Sequence, residues 1–344
     1  MRKERLLYLD FIRAISIVII VIFHFDCAVN QEKLLGNKTL FVNYTNGELG
    51  QIGVALFFII SGASLMYIYE QDFSLINYFK KRFIKIYPMF YIAYGCAFLY
   101  LFYINKSIQH SIPKKTFILT ILGVDGYLSS TIPNYYILGE WFLGCIVLIY
   151  LCFPILRKIM IKYPKILFIC TLIGYIVLVK EYNFNIRIDW NFITRIPDFL
   201  IGMYFIKYIK KVNIYQFLIA LIITMVMFLV PLNINIMYKV TTMGMSSFFV
   251  LVYVAQFLTN KNIKVILEKI SKYSYAIFLV HHITLQVIVS HFKGKVLSIS
   301  EVLCIFIITC IIIMILSICL YNINSKVLKY IKNIKSKEDL ILQG

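Results

Sequence analysis

Charge is scarce in this chain of 344 residues: 15% of them are charged, where a soluble domain carries about 25%. Acidic residues are scarcer still, 16 against 35 basic ones. The complement of that scarcity is a 61% hydrophobic content, which exceeds what one globular core can bury, whereas lipid can take it up. Missing too is any basic stripe interleaved with exposed aromatics. A net charge of +19 therefore does not point to nucleic acid. No CxxC pair occurs among the eight cysteines (Cys27, Cys96, Cys145, Cys152, Cys170, Cys304, Cys310, Cys319). They lie in or beside apolar runs and read as small hydrophobes, not as a disulfide framework or a metal site. The chain lacks an internal repeat, a low-complexity segment, a domain linker and a small-residue cleavage site after its first apolar stretch. A single membrane domain over 1–344 is expected, its core spanning about 7–321 and followed by a basic cytoplasmic tail, 322–344.

What is present is a series of long apolar runs, the clearest being Ile305 to Leu320. Runs near 20 residues cross a hydrocarbon layer of ~30 Å as helices, and they do not show the ten-residue alternation of a barrel strand. The predicted class is an all-α integral membrane protein of about ten transmembrane helices: 10–29, 51–69, 86–104, 138–156, 165–181, 193–209, 214–230, 238–258, 273–291 and 301–321. Residues 116–128 are apolar but short, as expected of a re-entrant or interfacial piece. Pro88, Pro154 and Pro197 fall near predicted span ends, where kinks are tolerated. With the N-terminus inside, 23 Lys and Arg fall on the cytoplasmic side and 11 outside, with Arg13 inside the first span. That asymmetry predicts cytoplasmic termini.

Ionisable residues inside a span are costly and usually functional. Asp10 and Arg13 are three apart and share a helix face. Arg13 can snorkel to the inner interface with Asp10 as its partner, or hold an anion. Eleven positions separate Arg13 from His24. At ~100° per residue they fall on one face, roughly 16 Å apart along the axis. His24 either bonds a neighbouring carbonyl or acts as a general base in a polar passage. Lys80, Lys81, Arg82 and Lys85 form a basic cluster. It suits positive-inside topology, and it also suits the phosphates of a donor such as coenzyme A. Gly53, Ala55, Ser61 and Gly62 are small residues of the second span, suited to close helix packing or to lining a narrow passage. Glu140 with Trp141 sits toward the outer interface, where Trp often anchors. His281, beside His282, is either an interfacial group or a polar residue of the site.

Several of these residues fall in motifs. Leu9-Asp10-Phe11-Ile12-Arg13-Ala14 with His24 resembles the opening of the membrane acyltransferase 3 family. Gly53-Val54-Ala55-Leu56-Phe57-Phe58-Ile59-Ile60-Ser61-Gly62 resembles its second span, and the stretch from Tyr78 to Pro88 its basic loop. Trp141-Phe142-Leu143 with Tyr150 and Pro154 resembles its fourth span. Arg195-Ile196-Pro197-Asp198-Phe199-Leu200-Ile201-Gly202 and Ser271 to His282 resemble two later spans. The resemblance implies a stand-alone bacterial polysaccharide O-acetyltransferase-like protein of the cell membrane. Such a protein moves an acyl group, commonly acetyl from cytoplasmic acetyl-CoA, to a hydroxyl or amine of a glycan or lipid-linked saccharide. Arg13 and His24 match the family's essential pair. Arg82, Lys85 and Lys81 are the expected donor-binding residues, and Ser61, Glu140, Trp141 and His281 the expected acceptor or pathway residues. Lys85 stands where the family usually has a second arginine, and Ile146 where many members have a glutamate. No bound cofactor or metal is implied; the expected partners are acyl-CoA, a glycan acceptor, the bilayer and glycan-synthesis proteins. The proposed step uses neutral His24, so activity should fall at acid pH. The competing readings are a polysaccharide transporter or flippase, which lacks support from inverted repeats or broken helices, and a scaffold in a glycan synthase.

Overall fold

Apolar runs of this length have no water to satisfy their backbone groups in lipid, so they close their hydrogen bonds internally as helices. The computed structural model describes residues 4–40, 48–106, 112–138 and 140–341, the side chains of 105, 140 and 335–341 excepted. Among the described residues there are helices and no strands. In chain order they are α1 (Leu7–Gln31), α2 (Leu49–Tyr69), α3 (Leu75–Asn105), α4 (Phe117–Ile121), α5 (Asp125–Leu128), α6 (Glu140–Lys162), α7 (Pro164–Lys180), α8 (Phe192–Tyr204), α9 (Ile214–Leu229), α10 (Ile236–Ala255), α11 (Lys261–Ser290) and α12 (Ile299–Ile341). A 3-10 turn, Lys114–Thr116, precedes α4, and a π turn, Phe205–Ile209, continues α8.

Each predicted span overlaps a helix. Seven of them, α1, α2, α3, α6, α10, α11 and α12, are long and apolar enough to cross a membrane. The other three segments form the shorter helices α7, α8 and α9. Helix starts are fixed locally by polar caps: Ser74, Asn191, Asn213, Asn235 and Asn260 each accept a backbone N–H of the first turn of α3, α8, α9, α10 and α11. Because α3 begins at Leu75, Pro88 lies well inside a helix, not near its end; Pro154 and Pro197 are likewise internal to α6 and α8. Lys and Arg are good helix formers, so α3, α11 and α12 run on through their basic flanks beyond the apolar stretch.

The second helix is the hub. It packs most extensively on α8, and also on α1 and α10, while α1 pairs with α11 and α11 with α12. The α2–α8 crossing depends on two glycines. A Cβ added at Gly62 would sit 1.9 Å from the Phe199 carbonyl oxygen, and one added at Gly202 would sit 1.8 Å from that of Ile59. Backbone meets backbone there, which is the close-packing role of small residues in membrane helices. Gly53 packs in the same way against Ile20 and Ser16 of α1. The small residues of the second span thus divide: the glycines pack helices, and Ser61 faces a cavity. The short segment 116–128 turns at Gly123 and buries Asp125, which accepts from Thr120 Oγ1 (3.0 Å) and from the Gly126 amide (2.9 Å).

Polar contacts gather at the two ends of the bundle. One end carries Arg5 with Asp10 (2.5 Å) and Glu268 (3.4 Å), and Lys207 with Glu70 (3.2 Å). Arg157 adds to it by donating to the backbone carbonyls of Tyr69 and Glu70. The opposite end carries Lys239 with Glu48 (3.0 Å) and a network around Asp189. The first of these is the basic end of the bundle.

Candidate functional site

A cavity of about 620 Å³ passes between α1, α2, α3, α6, α11 and α12. Arg13 and His24, placed on one face of α1 by their spacing, both line it. Ser61, Ser64, Arg82, Lys85, Trp141, Tyr150 and Tyr275 also line it. At the basic end the Arg13 guanidinium is held by three groups. Its Nη1 donates to Asp10 Oδ1 (3.2 Å) and Ser271 Oγ (3.1 Å), and its Nη2 reaches Ser64 Oγ at 3.5 Å. Asp10 in turn accepts from the Ser271 hydroxyl (2.6 Å) and from Arg5. The carboxylate orients the arginine, and the side chain stays 28% exposed toward the cavity. Such a guanidinium has donors left for a further anion.

His24 sits deeper, beside His281 of α11. His281 Nδ1 lies 2.8 Å from the Phe278 carbonyl and 3.2 Å from that of Ile277. A carbonyl only accepts, so Nδ1 carries the hydrogen and the neutral ring keeps its lone pair on Nε2. That Nε2 lies 3.1 Å from His24 Nδ1, which must then donate to it. The tautomer of His24 follows: its hydrogen is on Nδ1 and its lone pair on Nε2, the arrangement a general base needs. The two rings are nearly parallel, 5.0 Å between centroids. His281 is fully buried and lies outside the cavity lining, so it stands behind His24 and does not face the passage.

The other expected residues divide. Arg82 and Lys85 line the cavity with Arg13. Lys81 does not; it is exposed on the flank of α3, where its ammonium stays solvated. Trp141 is drawn inward from the expected interfacial anchor. It lines the cavity and stacks on Trp190, 5.8 Å away at an interplanar angle of 7°. The Glu140 side chain lies outside the described residues. Ile146, at the position of the absent glutamate, is a cavity-lining apolar side chain.

Sequence reasoning gave no role of their own to two sets of residues, although Arg195, Asp198 and Lys272 fall in its motifs. Lys272 and Asn324 bring α11 and α12 to the basic part of the cavity; only a preserved helical register in the tail beyond 321 would have suggested the second. The other is a buried polar network beneath Trp141. Arg195 and Asp198 are both 0% exposed and pair at 3.3 Å. Arg195 also donates to the Asp189 carbonyl (2.9 Å) and to Gln51, whose amide donates to Asp189 Oδ2 (2.7 Å). Arg187 closes the network on Asp189 and lies over the Trp190 ring.

An all-α membrane bundle with a passage from a held guanidinium to an oriented imidazole defines the class. The acyltransferase 3 family, whose model is described as an acyltransferase domain, matches residues 6–318, and the chain belongs to that family. It is also similar to Acyltransferase MdmB of Streptomyces mycarofaciens, 26% identical over 145 residues. That match covers 41% of this chain and 37% of the relative's length. No solved structure matches the chain.

Proposed function

We propose that the chain transfers an acyl group, acetyl from acetyl-CoA, to a hydroxyl of a cell-surface polysaccharide or its lipid-linked precursor. The observation that carries this reading is the His281–His24 relay, which leaves the His24 Nε2 lone pair as the base (3.1 Å between the rings' nitrogens). Family membership and the relative's printed name support acyl transfer as the chemistry. The cationic groups at one end of the cavity, Arg13, Arg82, Lys85 and Lys272, support a polyanionic donor entering there. The Lys and Arg asymmetry supports a basic end facing the cytoplasm of a bacterial cell membrane, with the acceptor arriving from the other side.

In the proposed step the acceptor hydroxyl gives its proton to His24 Nε2 as its oxygen attacks the thioester carbonyl. The resulting imidazolium keeps its Nδ1–H on His281 Nε2, and the carbonyls of Phe278 and Ile277 hold that second ring in place. The tetrahedral carbon then expels the thiolate, which takes the proton back from His24 as the C–S bond breaks. The ester and free coenzyme A leave, and the histidines return to their starting tautomers. The test is transfer of radiolabelled acetyl from acetyl-CoA into the polysaccharide fraction of membranes, with NMR of the surface polysaccharide from a deletion strain. Label and O-acetyl signals are expected with the native chain and absent with His24→Ala at equal membrane abundance. Normal acetylation in that variant overturns the assignment.

A further inference from the structure

Two polar atoms at the basic part of the cavity are buried without a hydrogen-bond partner among the described residues: Asn324 Oδ1 on α12 and Arg82 Nε on α3. Both side chains line the cavity. Asn324 is 7% exposed. A buried acceptor left unpaired destabilises a fold, and such a group calls for an explanation. One unpartnered acceptor and one unpartnered donor, on side chains that line the same cavity, match a secondary amide, which presents one N–H and one carbonyl oxygen.

The surrounding charge narrows the ligand further. Arg13, Arg82, Lys85 and Lys272 supply the cations of this region, and Lys272 also lies over the Tyr321 ring, one helical turn from Asn324. A phosphate suits those cations but not an amide oxygen, which only accepts. Asn324 therefore fits an N–H donor on a neutral segment of the ligand, between its anionic head and its reacting end.

We propose that Asn324 is a donor-binding residue whose side-chain oxygen accepts an amide N–H of the pantetheine-type arm of an acyl thioester, with Arg82 Nε donating to an amide carbonyl of the same arm. This rests on the acyl-CoA donor of the preceding section and adds α12 to the binding site. Without ligand the unpaired oxygen is a burden on the fold; with ligand it becomes a selective contact.

The test uses the full chain in nanodiscs, with radiolabelled coenzyme A displaced by pantetheine, which has the arm alone, or by adenosine 3′,5′-bisphosphate, which has phosphates and no arm. Asn324→Leu should weaken coenzyme A and pantetheine about tenfold, as loss of one buried hydrogen bond would, and leave the bisphosphate unchanged. Its thermal unfolding midpoint should equal or exceed the native one, because the substitution removes an unpaired polar atom. Should the leucine variant fail to insert, Asn324→Ala carries the same comparison. Unchanged pantetheine binding, or equal weakening of pantetheine and bisphosphate, overturns the inference while leaving the donor intact. Native protein that binds no coenzyme A overturns the donor reading and this inference together.

Discussion

The molecule holds two arginine–aspartate pairs with the same spacing along a helix, and it uses them differently. Asp10 and Arg13 pair at 3.2 Å on α1, and Arg195 and Asp198 at 3.3 Å on α8. Arg13 is 28% exposed to a cavity and spends its bonds on two hydroxyls and one carboxylate. Arg195 is fully enclosed, and its guanidinium nitrogens meet a carbonyl, an amide oxygen and a carboxylate, with the Trp141 and Phe58 rings near its carbon. The first pair lines a cavity and can exchange a partner for a ligand; the second is 0% exposed and lies outside that cavity. The residue types are the same, but enclosure turns one pair into a site and the other into a brace.

Breaking the brace should have the largest effect on stability. Asp198→Leu alone leaves a buried guanidinium short of its charge partner and should cost about 3–5 kcal/mol, read as a lower unfolding midpoint in detergent. Arg195→Met combined with Asp198→Leu should recover most of that loss, because neither charge is then stranded. A double variant as unstable as the single one would show that Arg195 acts through its other bonds. Arg13→Ala should do the reverse. It should unfold near the native temperature and raise the KM for acetyl-CoA about 10- to 100-fold, as loss of charged hydrogen bonds of about 1.5–3 kcal/mol predicts. A stability loss without a KM change would make Arg13 a second brace.

Gly62→Ala tests the support under both pairs. The added methyl meets the Phe199 backbone oxygen at 1.9 Å, so α2 and α8 must separate, at a cost of about 1–3 kcal/mol. Asp125 sharpens the comparison from the other side, as a buried carboxylate that accepts from a hydroxyl and a backbone amide, with no cation among those bonds. Burial, partly opposed by those bonds, pushes its carboxyl up to about 6. The folded state then favours the protonated form. Its contribution is full below the unfolded value near 3.8 and is lost as pH rises through about 6. Asp125→Asn should remove a pH-dependent part of stability on the order of 1 kcal/mol, seen as unfolding midpoints that differ less between pH 5 and pH 7.

Much of the fold was legible in hydropathy, since a long apolar run has few options besides a helix. Helix ends were less so: α3 starts eleven residues before its predicted span, at Leu75 rather than 86, because basic residues continue a helix into water without interrupting its hydrogen bonds. The predicted spans at 165–181, 193–209 and 214–230 correspond to the shorter helices α7, α8 and α9, of 17, 13 and 16 residues. In the site, Arg13 and His24 could be placed on one face by counting, and the cavity they share follows that geometry. His281 could not be assigned to His24, since 257 positions separate them and only the packing of α11 on α1 brings the rings together. Asn324 was hidden for a related reason: its burial depends on how the tail of α12 lies against α3 and α11.

The most direct measurement is acetyl transfer from acetyl-CoA by membranes carrying His281→Phe beside His24→Ala. His281→Phe keeps a ring behind His24 and removes the acceptor that fixes its tautomer. Transfer should fall by about 10²–10⁴ in His24→Ala, the usual worth of a positioned base, and by less in His281→Phe, in kcat with little change in the KM for acetyl-CoA. Native rates in His281→Phe, with the protein inserted and folded, would contradict the relay.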